Sequence, residues 1–237
     1  MNISLMPEVF ETLPKLRLGI VVIHDIDNKS KLPASAHLVQ DAEKLIRLTF
    51  HKDTTKTHYL IAPWEAARRE FGKEARHYHT ALEKLLHQVL EGKSAVGKDV
   101  LTNIVHYLML KHLVPMALDD RSKVQGRIIF DLVEEARKNE GPKAGPLQLK
   151  RLQLKKGELY YRDEQKILGA KLDYWKNPVT ALTSSTTNAI LHIETLPPVT
   201  RGKLRGMLIE TEQLITSFCG GRTKTALLWR KKRSVTL

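Results

Sequence analysis

The sequence predicts an α/β (α+β) fold on three observations. Residues 16–23 form a continuous apolar run rich in β-branched side chains, which is typical of a buried strand. Residues 61–114 then show helical patterns in three successive blocks, and Gly72 and Gly92 end the first two. From residue 124 the pattern changes to a period of two or to short apolar runs, which indicates a second group of strands.

The first long helix is predicted directly after the N-terminal strand. Ser35 is a suitable N-cap for a helix over residues 37–50, because serine oxygens accept hydrogen bonds from the first backbone amides of helices. Apolar side chains recur at helical spacing in this segment, at Leu38, Ala42, Leu45, Ile46 and Phe50. The polar residues 51–58 then indicate a loop.

Three further helices follow in the central block. The first has Pro63 near its start, where the missing N–H costs least. The second spans residues 80–91 and carries its apolar side chains on one side, with Gly92 as its stop. The third spans residues 98–113 and ends before Pro115. Because it is apolar around most of its circumference, we expect it to lie at the centre of the fold.

The second half of the chain predicts a sheet followed by a helix. The strand signals lie at residues 127–133, 158–161, 167–174 and 189–193. Residues 139–146 are rich in glycine and proline and are interpreted as a connection within the sheet region. Thr200 is a suitable cap for a helix over residues 204–219, which ends at Gly220.

The charge of the chain favours a polyanionic partner. The 39 Lys and Arg residues against 26 Asp and Glu residues give a net charge of +13. Part of this excess is local, because residues 222–237 hold six basic residues and no acidic one. We therefore predict a single domain over residues 1–221 and a basic C-terminal tail over residues 222–237, although the tail also has the pattern of a last strand.

The remaining composition indicates a cytoplasmic protein. Cys219 is the only cysteine, so no intramolecular disulfide can form, and no signal peptide is visible at the N-terminus. The longest apolar runs are too short to cross a bilayer, so no membrane partner is predicted. No metal or cofactor is predicted either, because His77-x-His79 has no further convincing ligand and no phosphate-binding glycine motif occurs.

These segments, in this order, resemble the B3/B4 domain family, which is named after the editing module in the β subunit of bacterial phenylalanyl-tRNA synthetase. The resemblance is to the free-standing members of the family and covers about residues 3–221. It is carried by residues 7–10 and 18–23, by Ala62-Pro-Trp64 through Gly72, and by residues 80–92, 110–119 and 186–199.

The resemblance implies a mixed β-sheet region with packed helices around a pocket, and it also implies a reaction. A stand-alone member would act in trans as an editing hydrolase, or deacylase, on the acceptor end of mischarged tRNA. The alternative is a non-catalytic tRNA- or RNA-binding module of the same fold, which departures from the family pattern at Asn103, His106, Ala117 and Leu118 favour. A third possibility is a protein that binds a free amino acid without RNA.

Candidate catalytic residues come from the helix over residues 98–113 and the segment after it. Asn103 and His106 lie on one polar stripe and are candidates for orienting or activating a water molecule, although a core histidine bonded to a carbonyl fits the same pattern. Asp119 matches the acidic residue of the family and is a candidate contact for the substrate, or else a capping residue. Candidate tRNA-binding residues are the basic positions Arg76, His77, His79, Arg230, Lys231, Lys232 and Arg233.

Overall fold

The structure, a computed structural model, describes residues 1–51, 55–70, 79–133, 154, 157–170, 172–173 and 175–237. The predicted connection at residues 139–146 lies outside these ranges, as do Arg76 and His77. The strands are β1 (Asn2–Leu5), β2 (Arg17–His24), β3 (Met116–Asp120), β4 (Ile128–Leu132), β5 (Leu159–Arg162), β6 (Ile167–Ala170), β7 (Trp175–Lys176), β8 (Ala189–Thr195), β9 (Arg222–Trp229) and β10 (Ser234–Thr236). The α-helices are α1 (Val9–Thr12), α2 (Leu32–Thr49), α3 (Ala62–Glu70), α4 (Ala81–Leu90), α5 (Val100–His112) and α6 (Arg201–Cys219).

A four-stranded antiparallel sheet in the order β3-β8-β2-β9 separates two hydrophobic cores. The apolar run predicted at residues 16–23 becomes β2, which is buried on both faces. Its Val21 and Ile23 side chains pack against the helices, whereas those of Leu18, Ile20 and Val22 pack into the second core. A strand with this composition suits a layer between two others, because no face of it meets water.

The second core lies between this sheet and a six-stranded sheet in the order β10-β1-β4-β5-β6-β7. The sheet is mixed, because β1 and β4 pair in parallel and all other neighbouring strands of the sheet pair antiparallel. The described elements thus form three layers, with α2, α4, α5 and α6 outside the four-stranded sheet. This architecture confirms the predicted α/β class.

Helix α2 begins earlier than predicted. It starts at Leu32, with Pro33 in its first turn, and its N-cap residue Lys31 makes no side-chain capping bond. The prediction that Ser35 is the cap is therefore wrong. The Ser35 side chain is buried inside the helix and its hydroxyl donates to the carbonyl oxygen of Leu32 (2.9 Å). Proline in the first turn fixes the helical backbone there without a capping side chain.

Capping side chains fix the starts of α4 and α5, the two helices that line the candidate site described below. Thr80 and Glu83 form a reciprocal capping box at α4. Asp99 caps α5 by accepting a hydrogen bond from the backbone amide of Thr102 (2.9 Å). Asp99 lies one turn before Asn103 in the sequence and continues its polar stripe, and the structure explains it as the helix cap.

Residues 222–237 form strands and not an appended tail. β9 pairs with β2 along eight residues, from Arg222 opposite His24 to Trp229 opposite Arg17. Leu227 and Leu228 anchor the strand in the two cores. The many basic side chains misled the tail prediction, because an edge strand accommodates charges along its solvent-facing side.

No helix among the described residues is both long and apolar enough to span a membrane.

We expect Cys219 to be unreactive in the folded protein. It is buried at the end of α6, and burial raises the pKa of its thiol to about 12. Because the thiolate is the reactive form, iodoacetamide at about pH 8 should leave the native protein unmodified and alkylate it in urea. Intact-mass spectrometry over time measures both rates. Fast alkylation of the native protein would contradict this burial.

Candidate functional site

A cavity of about 320 Å³ lies between α4, α5 and β3. Hydrocarbon side chains line most of it, from Ala81, Leu85, Val105, Met109, Met116, Ala117, Leu118 and Leu182. The polar and charged side chains at its wall are those of Lys84, Gln88, Thr102, His106 and Asp173. Its volume is at the lower end of the range of about 300–1,000 Å³ for ligand pockets, and a mostly apolar lining with a few polar groups is typical of such pockets.

His106 is the member of the predicted catalytic set that reaches this cavity. Its Nδ1 lies 2.5 Å from the carbonyl oxygen of Ala95, and since a carbonyl only accepts, Nδ1 carries the proton. Burial lowers the pKa of the imidazole, although the Ala95 carbonyl and the Asp99 charge oppose this effect. The ring is therefore neutral near pH 7, and its Nε2 carries a lone pair that can accept a proton.

Two opposite charges lie at the wall of the same cavity. Lys84 is an exposed residue at this wall, and partial burial of its ammonium group lowers its pKa, while the nearby Asp173 carboxylate favours the protonated form. Asp173 is itself buried, which disfavours its charge, but His192, Lys176 and Lys84 together hold the pKa of the carboxyl below its ordinary value. Asp173 therefore supplies a negative charge at the wall of the cavity.

Asn103 does not line the cavity. Its side chain is fully buried on the side of α5 that faces α2. The amide oxygen accepts a hydrogen bond from the backbone amide of Gly97 (2.7 Å), and the amide nitrogen donates to the Ser35 hydroxyl (2.9 Å). Asn103 thus connects α5 to α2 and to the loop before α5. Both the oxygen and the nitrogen of its side-chain amide are engaged in these bonds.

Asp119 is also separated from His106. It is buried on β3, and both of its carboxylate oxygens have partners: Thr180 donates to Oδ1 (2.5 Å), and Tyr161 (2.9 Å) and Lys176 (2.8 Å) donate to Oδ2. The Lys176 ammonium also contacts the Tyr161 hydroxyl. Burial and the Asp119 charge raise the pKa of Tyr161 well above its ordinary value, which keeps this hydroxyl a donor.

A second buried group of ionisable side chains lies beside this network. His192 and Glu194 lie on the same face of β8, and Nε2 of His192 is 2.9 Å from Oδ2 of Asp173 and 3.7 Å from Oε1 of Glu194. Burial disfavours the charged imidazole, but the two carboxyl groups outweigh it and raise the pKa of His192. Burial and the Asp173 charge raise the pKa of Glu194 to about 8. Sequence reasoning missed this group.

Asp173 reaches the cavity through an unusual backbone segment. The strand predicted at residues 167–174 stops at Ala170, and Leu172 and Asp173 both have φ of 57°. For a leucine this left-handed conformation costs about 1–2 kcal/mol. Gly169, on β6, leaves room for the Asp173 side chain. A Cβ at position 169 would lie only 2.6 Å from Oδ1 of Asp173.

Of the predicted tRNA-binding residues, five lie in the described structure. Arg230, Lys231, Lys232 and Arg233 are all exposed in the tight turn between β9 and β10, where Trp229 and Lys232 exchange backbone hydrogen bonds. The guanidinium group of Arg201, at the start of α6, lies 5.3 Å from the Trp229 ring centre. His79 is half-buried before α4, 3.9 Å from the Glu83 carboxylate.

A larger groove of about 740 Å³ lies on another side of α5, between α2 and α5. Its lining is mainly apolar, from residues such as Leu45, Ile46 and Phe50. Its polar side chains are either exposed, as for Asp41 and Lys111, or half-buried, as for His58 and Tyr107. Because it lacks a buried polar group, we take the smaller cavity as the candidate site.

Comparison with known proteins finds a matching family model and a solved structure with partial similarity. A family model described as "B3/4 domain" matches residues 64–216, which is more than half of the chain. Among solved structures, an N-terminal fragment of the phenylalanyl-tRNA synthetase β subunit from Pyrococcus horikoshii is similar at 9% sequence identity and a TM-score of 0.38. The match covers 93% of this chain and 49% of that one, so this chain spans about half the length of the matched fragment. None of the curated proteins matches the sequence significantly.

Proposed function

Because the chain belongs to the B3/4 domain family, we propose that it is an aminoacyl-tRNA deacylase that hydrolyses mischarged tRNA in trans. The proposed site is the cavity between α4, α5 and β3. The observation that carries the proposal is the presence, in one mostly apolar cavity, of a neutral imidazole from His106 and an ammonium group from Lys84. Ester hydrolysis needs a proton acceptor for water and positive charge near the developing oxyanion.

The apolar part of the cavity suits the side chain of an amino acid. Leu85, Val105 and Met109 come from the helices, while Met116 and Leu118 come from the strand, so the wall is formed by packed elements. Such a wall excludes water and selects by size and shape. The polar groups then lie where the ester end of the bound group would be held.

In the proposed reaction His106 acts as the general base. Its Nε2 takes a proton from a water molecule, whose oxygen attacks the ester carbonyl carbon. The carbonyl oxygen becomes negatively charged, and the Lys84 ammonium stabilises this charge. When the carbon–oxygen bond to the ribose breaks, the proton returns from His106 to the leaving ribose oxygen. The products are a free amino acid and an uncharged tRNA.

The basic turn after β9 is the proposed contact for the acceptor stem of the tRNA. Arg230, Lys231, Lys232 and Arg233 supply four exposed cations, and the half-buried Trp229 lies beside them. β9 lies three strand spacings, about 14 Å across the sheet, from β3, and the strand pairing places Trp229 and the cavity residue Met116 toward the same end of the sheet. A nucleic acid that contacts this turn can therefore extend to the cavity. The proposed reaction takes place in the cytoplasm, the compartment that the single cysteine indicates.

Replacing two of these lysines should weaken tRNA binding in a salt-dependent way. For Lys231→Gln with Lys232→Gln, we expect the slope of log K against log salt to decrease by about 1 for each phosphate that the protein no longer neutralises. Filter binding at several salt concentrations measures the slope. The matched control is Lys29→Gln with Lys44→Gln, two exposed lysines of which Lys29 follows β2 at the end opposite Trp229. Equal slopes for both variants would contradict the assignment.

A deacylation assay tests the proposed reaction itself. The protein is incubated with tRNAs that carry a panel of non-cognate amino acids, and ester loss is measured against the uncatalysed rate. We expect acceleration for at least one aminoacyl group. Retained tRNA binding without acceleration for any group would refute the hydrolase and support the alternative.

That alternative, a tRNA-binding module without hydrolysis, has its own observation. Asn103 and Asp119 are both held in hydrogen bonds with other groups of the protein. Of the three predicted catalytic residues, His106 is therefore the one that lines the cavity. A single general base contributes about 10²–10⁴-fold, so the deacylase must draw the rest of its rate from positioning and electrostatics.

A further inference from the structure

The buried group formed by Asp173, His192 and Glu194 has the composition of a metal-ligand set. Each side chain offers one ligand atom, and these atoms lie within 4.8 Å of one another. We propose that these three residues bind a divalent first-row transition-metal ion, such as Zn²⁺, beside the candidate cavity, which Asp173 lines. Imidazole and carboxylate groups together suit ions of this class. The proposal does not depend on whether the protein is a deacylase.

The separations between the ligand atoms are close to those in real metal sites. Two ligands at about 2.1 Å from a common ion lie about 3.0–3.4 Å apart in octahedral or tetrahedral geometry. Nε2 of His192 is 2.9 Å from Oδ2 of Asp173 and 3.7 Å from Oε1 of Glu194. Small side-chain rotations therefore bring the three atoms around one centre.

The unsatisfied oxygens of the two carboxyl groups are independent support. Asp173 and Glu194 side chains are each only 2% exposed. Oδ1 of Asp173 and Oε2 of Glu194 nevertheless have no hydrogen-bond partner among the described residues. An unpaired buried polar atom is costly, and an ion that contacts both oxygens of each carboxylate would also satisfy these two atoms.

The surroundings hold the proposed ligands in place. The His192 ring lies 4.9 Å from the Tyr161 ring and 5.3 Å from the Phe130 ring, both nearly perpendicular, which fixes its orientation. The Lys176 ammonium, on β7, is paired with Asp119 (2.8 Å). The charge of Lys176 also acts on Asp173 and Glu194. An ion would displace the proton of Glu194, whose pKa is about 8, and the two carboxylates would then balance its charge.

The cavity provides the route by which an ion would enter. Asp173 is one of the residues that line the cavity, whereas His192 and Glu194 are buried and do not line it. Three protein ligands with a further position open to a cavity are the arrangement of metal sites that bind exchangeable water. The open position would therefore face the space that the proposed substrate occupies.

Metal binding by the purified chain tests the proposal. The protein is treated with a chelator, and Zn²⁺ is then added in a calorimetric titration, with Co²⁺ as a spectroscopic probe of the ligand field. We expect one ion per chain, a visible Co²⁺ absorption band, and a higher Tm with Zn²⁺. Absence of Zn²⁺ and Co²⁺ binding by the wild-type chain would overturn the proposal, and the buried group would then be an ion-pair network only.

Variants locate the ion within the chain. Glu194→Gln should weaken binding by at least about tenfold, and His192→Gln should abolish it. The matched control is His112→Gln, which alters a second histidine–carboxylate pair, with Glu210 at 2.8 Å, outside the proposed site. His79→Gln tests the surface histidine near α4. Binding that survives both buried substitutions, or that is lost with His79→Gln, would overturn the assignment; circular dichroism shows that each variant is folded.

Discussion

His106→Gln is expected to lower kcat for deacylation by about 10²–10⁴-fold, the usual contribution of a general base. Glutamine keeps a hydrogen-bonding side chain of similar length but cannot take a proton from water. The wild-type rate should fall as the pH falls through the pKa of His106, which burial places below its ordinary value of about 6.5. The variant should lack this acid limb, because its side chain does not titrate. Single-turnover rates from about pH 5 to pH 8 measure both effects.

The matched control is His112→Gln on the same helix. The His112 side chain pairs with Glu210 and does not line the cavity, so its loss should leave the rate within about twofold. Equal tRNA affinity of the wild type and His106→Gln would show that binding is intact. An unchanged acid limb in His106→Gln would contradict the role of His106 as the base.

Asn103→Ala is expected to destabilise the fold by about 2–4 kcal/mol. The substitution removes two hydrogen bonds and leaves the Gly97 amide and the Ser35 hydroxyl without the partner they have now. It also opens a cavity at a fully buried position. Urea unfolding measures the loss as a lower midpoint at unchanged slope.

Asn2→Ala is the control for this effect, because the Asn2 amide makes an exposed bond to Thr236. We expect its free energy of unfolding to change by less than about 0.5 kcal/mol. If Asn103→Ala were as stable as the wild type and lost activity to the same degree as His106→Gln, Asn103 would be a catalytic residue and not a structural one.

The sequence predicted those elements whose pattern reflects local packing. Residues 16–23 formed a buried strand because nearly every side chain there is apolar, and α5 is central because its circumference is apolar. The stop at Gly92 and the cap at Thr200 were also predictable from local backbone chemistry. Ser35 misled the prediction, since its side chain serves tertiary contacts and Pro33 starts the helix.

The candidate site was only partly predictable because it depends on contacts between distant segments. Asn103 and His106 share a stripe at a spacing of three residues, yet α5 is packed on both sides, so one faces α2 and the other faces the cavity. The spacing of His192 and Glu194 in a strand predicts a shared face. Asp173 joins them through a left-handed backbone segment, which the amino-acid pattern does not reveal.

In the proposed function, the cavity between α4, α5 and β3 holds the aminoacyl end of a tRNA. Methyl NMR tests it directly, because two of the five methionines, Met109 and Met116, line the cavity and the other three do not. Adenosine carrying an amino acid through an amide bond is a stable mimic of that end. We expect such compounds, for at least one amino acid, to shift the methyl signals of Met109 and Met116 and to leave those of Met1, Met6 and Met207 unchanged. Saturating amounts that shift no methyl signal, or that shift only the other three, would contradict the claim.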